Sequence, residues 1–221
     1  MREFLREIAM ANYIVLGAGR LGGTLARRLA ELGHDVHVIV PKPDDAKYQE
    51  LASLEHITLA SSGSPNRTSD AMFVATPWEA TESALSDLDL AVGQIVVDCT
   101  NPVSYGATGM TLAIDANTSA AELMQGWLPA AKVVKTLNQV GSDILGDPAA
   151  LSPPPMMGLA SDDDDAKSAV SALLNDLGFD AFDAGGLQNA HLLEAFALLW
   201  MSQAFSTGDP GGFAFGKAAR R

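Results

Sequence analysis

The chain has one cysteine among 221 residues, so neither a disulfide framework nor a thiolate metal site can be built from it. Cations are scarce. Fourteen Lys and Arg stand against 27 Asp and Glu, a formal net charge of −13, which argues against a nucleic-acid or anionic-membrane partner because both need a basic face. Long apolar runs are missing too. The longest, Ala195-Phe196-Ala197-Leu198-Leu199-Trp200-Met201, is far short of a membrane span, and the N-terminus is too charged for a signal peptide. Residues 1–9 read as a short extension ahead of the first strand. Charged residues at 19% and hydrophobic ones at 48% describe a globular, cytoplasmic protein long enough to bury a full core.

What is present is concentrated at residues 12–40. Asn12-Tyr13-Ile14-Val15-Leu16 reads as an apolar strand that runs into Gly17-Ala18-Gly19-Arg20-Leu21-Gly22. A helical pattern follows to Leu32-Gly33, then a second strand from Asp35 to Val40. Strand, GxGxxG, helix and strand in this order form the dinucleotide-binding unit. Gly17 serves the tight turn, Gly19 lets backbone approach a pyrophosphate, and Gly22 lets helix and strand pack closely. The free N–H groups of the helix then point at the phosphates. A purely structural glycine turn is the alternative. The second strand ends Val40-Pro41-Lys42-Pro43, without the carboxylate that accepts a ribose 2′-hydroxyl in NAD sites. Lys42, and Arg20 in the glycine loop, offer positive charge for a 2′-phosphate. NADP is therefore favoured over NAD, although Asp44 and Asp45 lie close and Lys42 could be an ordinary solvated lysine.

Strands continue at 56–60, 71–75, 94–98 and 132–137, with a helix at Trp78–Ser86. This alternation predicts an α/β fold, a Rossmann-type doubly wound, mostly parallel sheet with ligands outside the carboxyl ends of its strands. Three such ends carry polar groups: Thr76-Pro77-Trp78, Thr100-Asn101-Pro102 and Asn138-Gln139. Each has a structural alternative, since Thr76 could cap a helix, Asn101 could start a turn and Trp78 could be core. Their shared rim favours a common pocket. The division expected is a dinucleotide-binding domain over 10–150 and a small C-terminal α/β cap over 151–221. In that cap 156–160 is a strand and Ser161 an N-cap, followed by Asp162 to Asp164 in the first helical turn. Capping accounts for these acids without a metal. The segment 187–205 reads as one long helix, apolar nearly all round, which either the sheet or a second subunit must cover; a homodimer is expected. His191 and Glu194 lie one turn apart on it, where a structural role outweighs proton transfer, and Cys99 reads as a buried inert thiol. The tail from Gly208 to Gly216, with Phe213 and Phe215, could fold over a planar ring or pack as a terminus.

The motifs above, with Leu32-Gly33-His34-Asp35, Val97-Asp98-Cys99-Thr100-Asn101-Pro102-Val103, Ser119-Ala120-Ala121-Glu122, Lys132-Val133-Val134-Lys135, Ser161-Asp162-Asp163-Asp164 and Asp183-Ala184-Gly185-Gly186-Leu187, make a set. In this order it resembles the small NADPH-dependent reductases of coenzyme F420, a deazaflavin, from about Asn12 to Lys217. By that resemblance Ala18 to Leu21 would hold the pyrophosphate and Pro41 with Lys42 would sit by the adenosine ribose. Thr76, Pro77, Trp78, Thr100, Asn101 and Ser142 would lie along the nicotinamide half. The family's Ser-Arg at the tip of the second strand is Val40-Pro41 here, and its His-Thr after the sixth strand is Asn138-Gln139. The chemistry implied is hydride transfer between NADP(H) and a planar small-molecule acceptor, coenzyme F420 or a flavin. It needs two rings held face to face and water excluded, with no catalytic side chain. A module that binds NADP(H) as a sensor, or moves electrons only with a partner, would share the same motifs.

Overall fold

A computed structural model of the chain describes residues 10–62, 69–106, 109–115, 117–209 and 212–218. The extension read over 1–9 lies outside the described residues. The elements in order are β1 (Asn12–Leu16), α1 (Arg20–Glu31), β2 (Asp35–Ile39), α2 (Gln49–Ala52), β3 (Ile57–Ala60), β4 (Ala71–Val74) and α3 (Trp78–Ser86). Then come β5 (Ile95–Asp98), β6 (Val103–Gly106), β7 (Gly109–Leu112), α4 (Ala120–Trp127), β8 (Lys132–Lys135) and α5 (Ser142–Gly146). The last are β9 (Met156–Leu159), α6 (Asp164–Asp176), β10 (Asp180–Asp183) and α7 (Ala190–Thr207).

Six strands form one parallel sheet in the order β3-β2-β1-β4-β5-β8. The order reverses at β1, where the chain leaves first for β2 and β3 and later returns as β4 on the other side. Such a reversal opens a crevice at the carboxyl ends of the strands. Both faces of the sheet are buried, and the strands divide their side chains between them with period two. Val15, Phe73, Val97 and Val134 join one core with Leu25 and Leu29 of α1 and Val170 and Leu174 of α6. Ile14, Leu16, Met72, Val74, Val96 and Val133 join the other with Leu85 of α3 and Met124 of α4. α7 enters both, through Leu193 in the second and Trp200 in the first.

β9 and β10 pair in parallel, and Ala160 just past β9 bridges Lys135 in antiparallel fashion, so the β9 segment is tied to the edge of the large sheet. Four local features differ from the sequence reading. The sixth strand stops at Lys135 because Leu137, fully buried, takes a left-handed φ of 60° that no strand can accommodate. The N-cap of α6 is Asp163, whose carboxylate accepts from Ala166 N–H at 2.8 Å, while Ser161 Oγ is spent on the Val133 carbonyl at 2.7 Å. The long helix begins at Ala190, after a 3-10 turn at Leu187–Asn189, and ends at Gly208 in the left-handed conformation. The antiparallel pair β6–β7 has no counterpart in the sequence reading; its strands are short and mostly exposed, so they carry little hydrophobic alternation.

Candidate functional site

The glycine loop joins β1 to α1 at the reversal point of the sheet. Gly17 has φ 98°, donates its N–H to Ile39 at 2.9 Å, and would place a Cβ 2.8 Å from the Ala75 carbonyl. A Cβ on Gly22 would collide with the Gly17 carbonyl and touch Ala75. These two glycines are required by the protein's own packing. Gly19 is different. Its backbone is extended, at φ −70°, and a Cβ there would meet nothing within 4 Å. No contact among the described residues asks for glycine at 19, whereas the close approach of a ligand would. Gly19 is also the N-cap of α1, with no side-chain cap and no acid in the first turn. The positive end of the helix therefore has no anion from its own first turn.

In front of this loop lies a cleft of about 460 Å³. Gly17, Ala18, Gly19, Pro41, Thr76 and Pro77 line it, so six of the residues expected from the sequence meet there. Tyr48, Ser83 and Asp87 also line it, and sequence reasoning missed them, because nothing in their spacing ties α3 or the α2 approach to the glycine loop. Arg20, Leu21 and Gly22 form the first turn of α1 behind the loop. Lys42 is exposed beside Pro41. Of the two acids close to it in sequence, Asp44 and Asp45, the second is engaged: its carboxylate accepts from Lys47 N–H at 3.1 Å and lies 3.6 Å from the Lys47 ammonium.

The other expected residues lie toward β5 and β8. Trp78 stacks on Trp127 with ring centroids 5.4 Å apart. Thr76 Oγ1 bonds Thr81 Oγ1 at 2.9 Å, within the first turns of α3. Asn101 and Asn138 exchange two hydrogen bonds, Asn101 Nδ2 to the Asn138 carbonyl at 3.0 Å and Asn138 Nδ2 to Asn101 Oδ1 at 3.2 Å. Asn138 and Gln139 are each 1% exposed, although the sequence reading put their amides on the rim. Gln139 binds both backbone groups of Gly158 in β9, accepting at 2.8 Å and donating at 2.9 Å, and donates to Asn138 Oδ1 at 3.1 Å. Their amides replace strand pairing where β8 ends, which is why they are inside. Ser142 opens α5 next to this junction. Phe213 and Phe215 of the tail rest on α7, against Trp200 and Phe196 respectively.

Beneath the strand ends is a buried ion cluster. Lys135 Nζ lies 2.8 Å from Asp98 Oδ2 and 3.3 Å from Glu194 Oε1, and all three side chains are fully buried. Burial alone would lower the lysine's pKa, but the two carboxylates outweigh it and hold it above its ordinary value. Burial raises the Glu194 carboxyl, with Lys135 opposing. Cys99 is buried next to Asp98; burial pushes its thiol well up, and its Sγ contacts the Val97 carbonyl at 3.7 Å, as expected for an inert thiol. Among the described residues no group of three or more His, Cys, Asp or Glu side chains could hold a metal ion, and no helix is long and apolar enough to cross a membrane.

Residues 12–102 match the family model of coenzyme F420-dependent NADP oxidoreductases. A solved structure from Arthrobacter sp. FB24, provisionally described as an F420-dependent NADP reductase, is 28% identical, with a TM-score of 0.83 over 95% of this chain and 100% of that one. Rat metalloreductase STEAP3 is 30% identical over 191 residues, 83% of this chain and 36% of that protein. The chain thus spans about a third of the length of that curated relative. A reductive aminase from Aspergillus terreus shares the fold, with a TM-score of 0.62 at 16% identity over 90% of this chain and 64% of that one.

Proposed function

We propose that the chain is a member of the coenzyme F420-dependent NADP oxidoreductase family, whose model residues 12–102 match, that it binds NADP(H) in the cleft before α1 and that it acts as an oxidoreductase. Gly19 carries this reading: its missing side chain answers to no contact among the described residues. Ala18 to Leu21 and the uncapped start of α1 would hold the pyrophosphate, and Pro41, Lys42 and Arg20 the phosphorylated ribose. Thr76, Pro77, Thr100, Asn101 and Ser142 would flank the nicotinamide half, while Asn138 and Gln139 act from inside by fixing Asn101. Bound, the cofactor would supply a hydride to, or take one from, a planar acceptor of the deazaflavin or flavin class. The residues' part is to orient the rings and keep water out. Residues 10–150 would form the dinucleotide-binding part and 151–221 the part that covers it, in a cytoplasmic homodimer.

Titration with NADPH and NADH, followed by oxidised deazaflavin and then flavin while NADPH absorbance is followed, tests this. Selective NADPH binding with consumption on adding one acceptor is expected. Binding with no consumption would point instead to a non-catalytic NADP(H) sensor or a partner-dependent electron-transfer module. One observation favours that second reading: Asn138 and Gln139 spend their amides internally, and Phe213 and Phe215 lie on α7, so none of the four frames an acceptor slot.

A further inference from the structure

Lys135 closes β8 with no exposure to solvent, an unusual place for an ammonium. Its three protons have three acceptors: Asp98 Oδ2 at 2.8 Å, the Thr100 carbonyl at 2.7 Å and Glu194 Oε1 at 3.3 Å. Asp98 Oδ1 accepts from Thr100 N–H at 2.8 Å, and Glu194 Oε1 also accepts from Ala120 N–H at 2.8 Å, at the start of α4. Both backbone groups of Thr100 therefore end on this cluster. Its side chain does not: the Thr100 hydroxyl is buried and finds no partner among the described residues. An orphaned buried hydroxyl weakens a fold, as does a buried ion pair whose apolar replacement would serve as well. Here the two occur together, the ion cluster gripping the backbone of the residue that carries the orphan. Asn101, next in the chain, is clamped through its carboxamide by Asn138.

We propose that Lys135 is a positioning residue for the dinucleotide site, holding Thr100 by its carbonyl at the end of β5 so that its hydroxyl, covered in the free protein, meets the nicotinamide end of the ligand when it binds. Asp98 fixes the same residue from its N–H, and Glu194 completes the ammonium's shell while joining it to α4 and α7. This rests on the NADP(H) reading above. The hydroxyl costs stability in the free protein and gains its partner on binding.

The test compares NADPH with 2′,5′-ADP, which keeps the adenosine half and lacks the nicotinamide, and records the melting midpoint of each variant. In Thr100→Val, NADPH affinity falls about tenfold, the scale of one lost buried hydrogen bond, while 2′,5′-ADP affinity holds and the melting midpoint does not fall. In Lys135→Met the same selective loss appears, with a lower midpoint. Should that variant fail to fold because two carboxylates are left unpaired, Asp98→Asn, Lys135→Met and Glu194→Gln combined remove the charge together and keep the test open. Variants that bind both ligands as the wild type does, or lose both equally, overturn the proposal. A wild-type protein that binds neither ligand overturns the dinucleotide reading itself.

Discussion

At the scale of single residues, the glycines separate by what requires them. Gly17 and Gly22 answer to Ala75 and to each other, whereas Gly19 faces open space. Gly19→Val is expected to abolish dinucleotide binding and leave the thermal transition in place; retained NADPH binding by titration would contradict the loop's role. Lys42→Ala should cost NADP(H) about tenfold or more in affinity, as loss of a charge-assisted phosphate contact does, with NAD(H) little changed. Equal losses for both would remove Lys42 from 2′-phosphate recognition. The glycine positions were legible in the sequence because their spacing encodes backbone conformation directly. The burial of Asn138 and Gln139 was not, since their partners Asn101, Gly158 and Leu193 are remote in the chain and an amide at a strand end looks the same whether it faces in or out.

Among the elements, α4 shows how much a single cap does. Ser119 Oγ accepts from Glu122 N–H at 3.1 Å and donates to the Glu122 carboxylate at 2.9 Å, closing the first turn on itself. Ser119→Ala should cost about 1 kcal/mol in urea denaturation, the usual loss for an N-cap. α7 poses the opposite case, a helix whose apolar surface exceeds what the chain covers. Leu192, Leu199 and Phe205 are each more than half exposed. If a second copy covers them, light scattering will give twice the chain mass, and Leu199→Glu will shift it to the monomer; wild-type monomer would reject the dimer. The length of this helix was evident from its composition. Its start was not, because no glycine or proline separates the 3-10 turn at Leu187–Asn189 from the helix it precedes. Ser161 likewise looked like a cap from its residue type, but its hydroxyl donates across the chain to the Val133 carbonyl and accepts only from Asp163 N–H, ahead of the helix.

Over the whole molecule, alternation of strands and helices made the doubly wound sheet legible, and its parallel order follows from short connections that must cross over a face. The ion cluster was hidden, because Asp98, Lys135 and Glu194 come from three distant elements and each alone reads as an ordinary charge. A second buried group is expected to make the fold sensitive to acid. His34 is 2% exposed, with Nδ1 accepting from Ala11 N–H at 3.3 Å and Nε2 unpartnered among the described residues. Burial lowers its pKa against the opposing pull of Asp176 and Asp70. The folded state then binds fewer protons than the unfolded one, so this contribution is intact above the ordinary histidine value of about 6.5 and is lost as pH falls below it. Denaturant midpoints between pH 5 and about pH 8 should show the decline, flatter in His34→Leu; an unchanged slope would assign it elsewhere. α7 also sets the order in which the protein can be made. Lys135 leaves the ribosome long before Glu194, and the first core waits for Trp200 just as the second waits for Leu193. Until α7 emerges, a nascent chain holds Lys135 with Asp98 but without its second carboxylate, and both cores wait for that one helix before they can close.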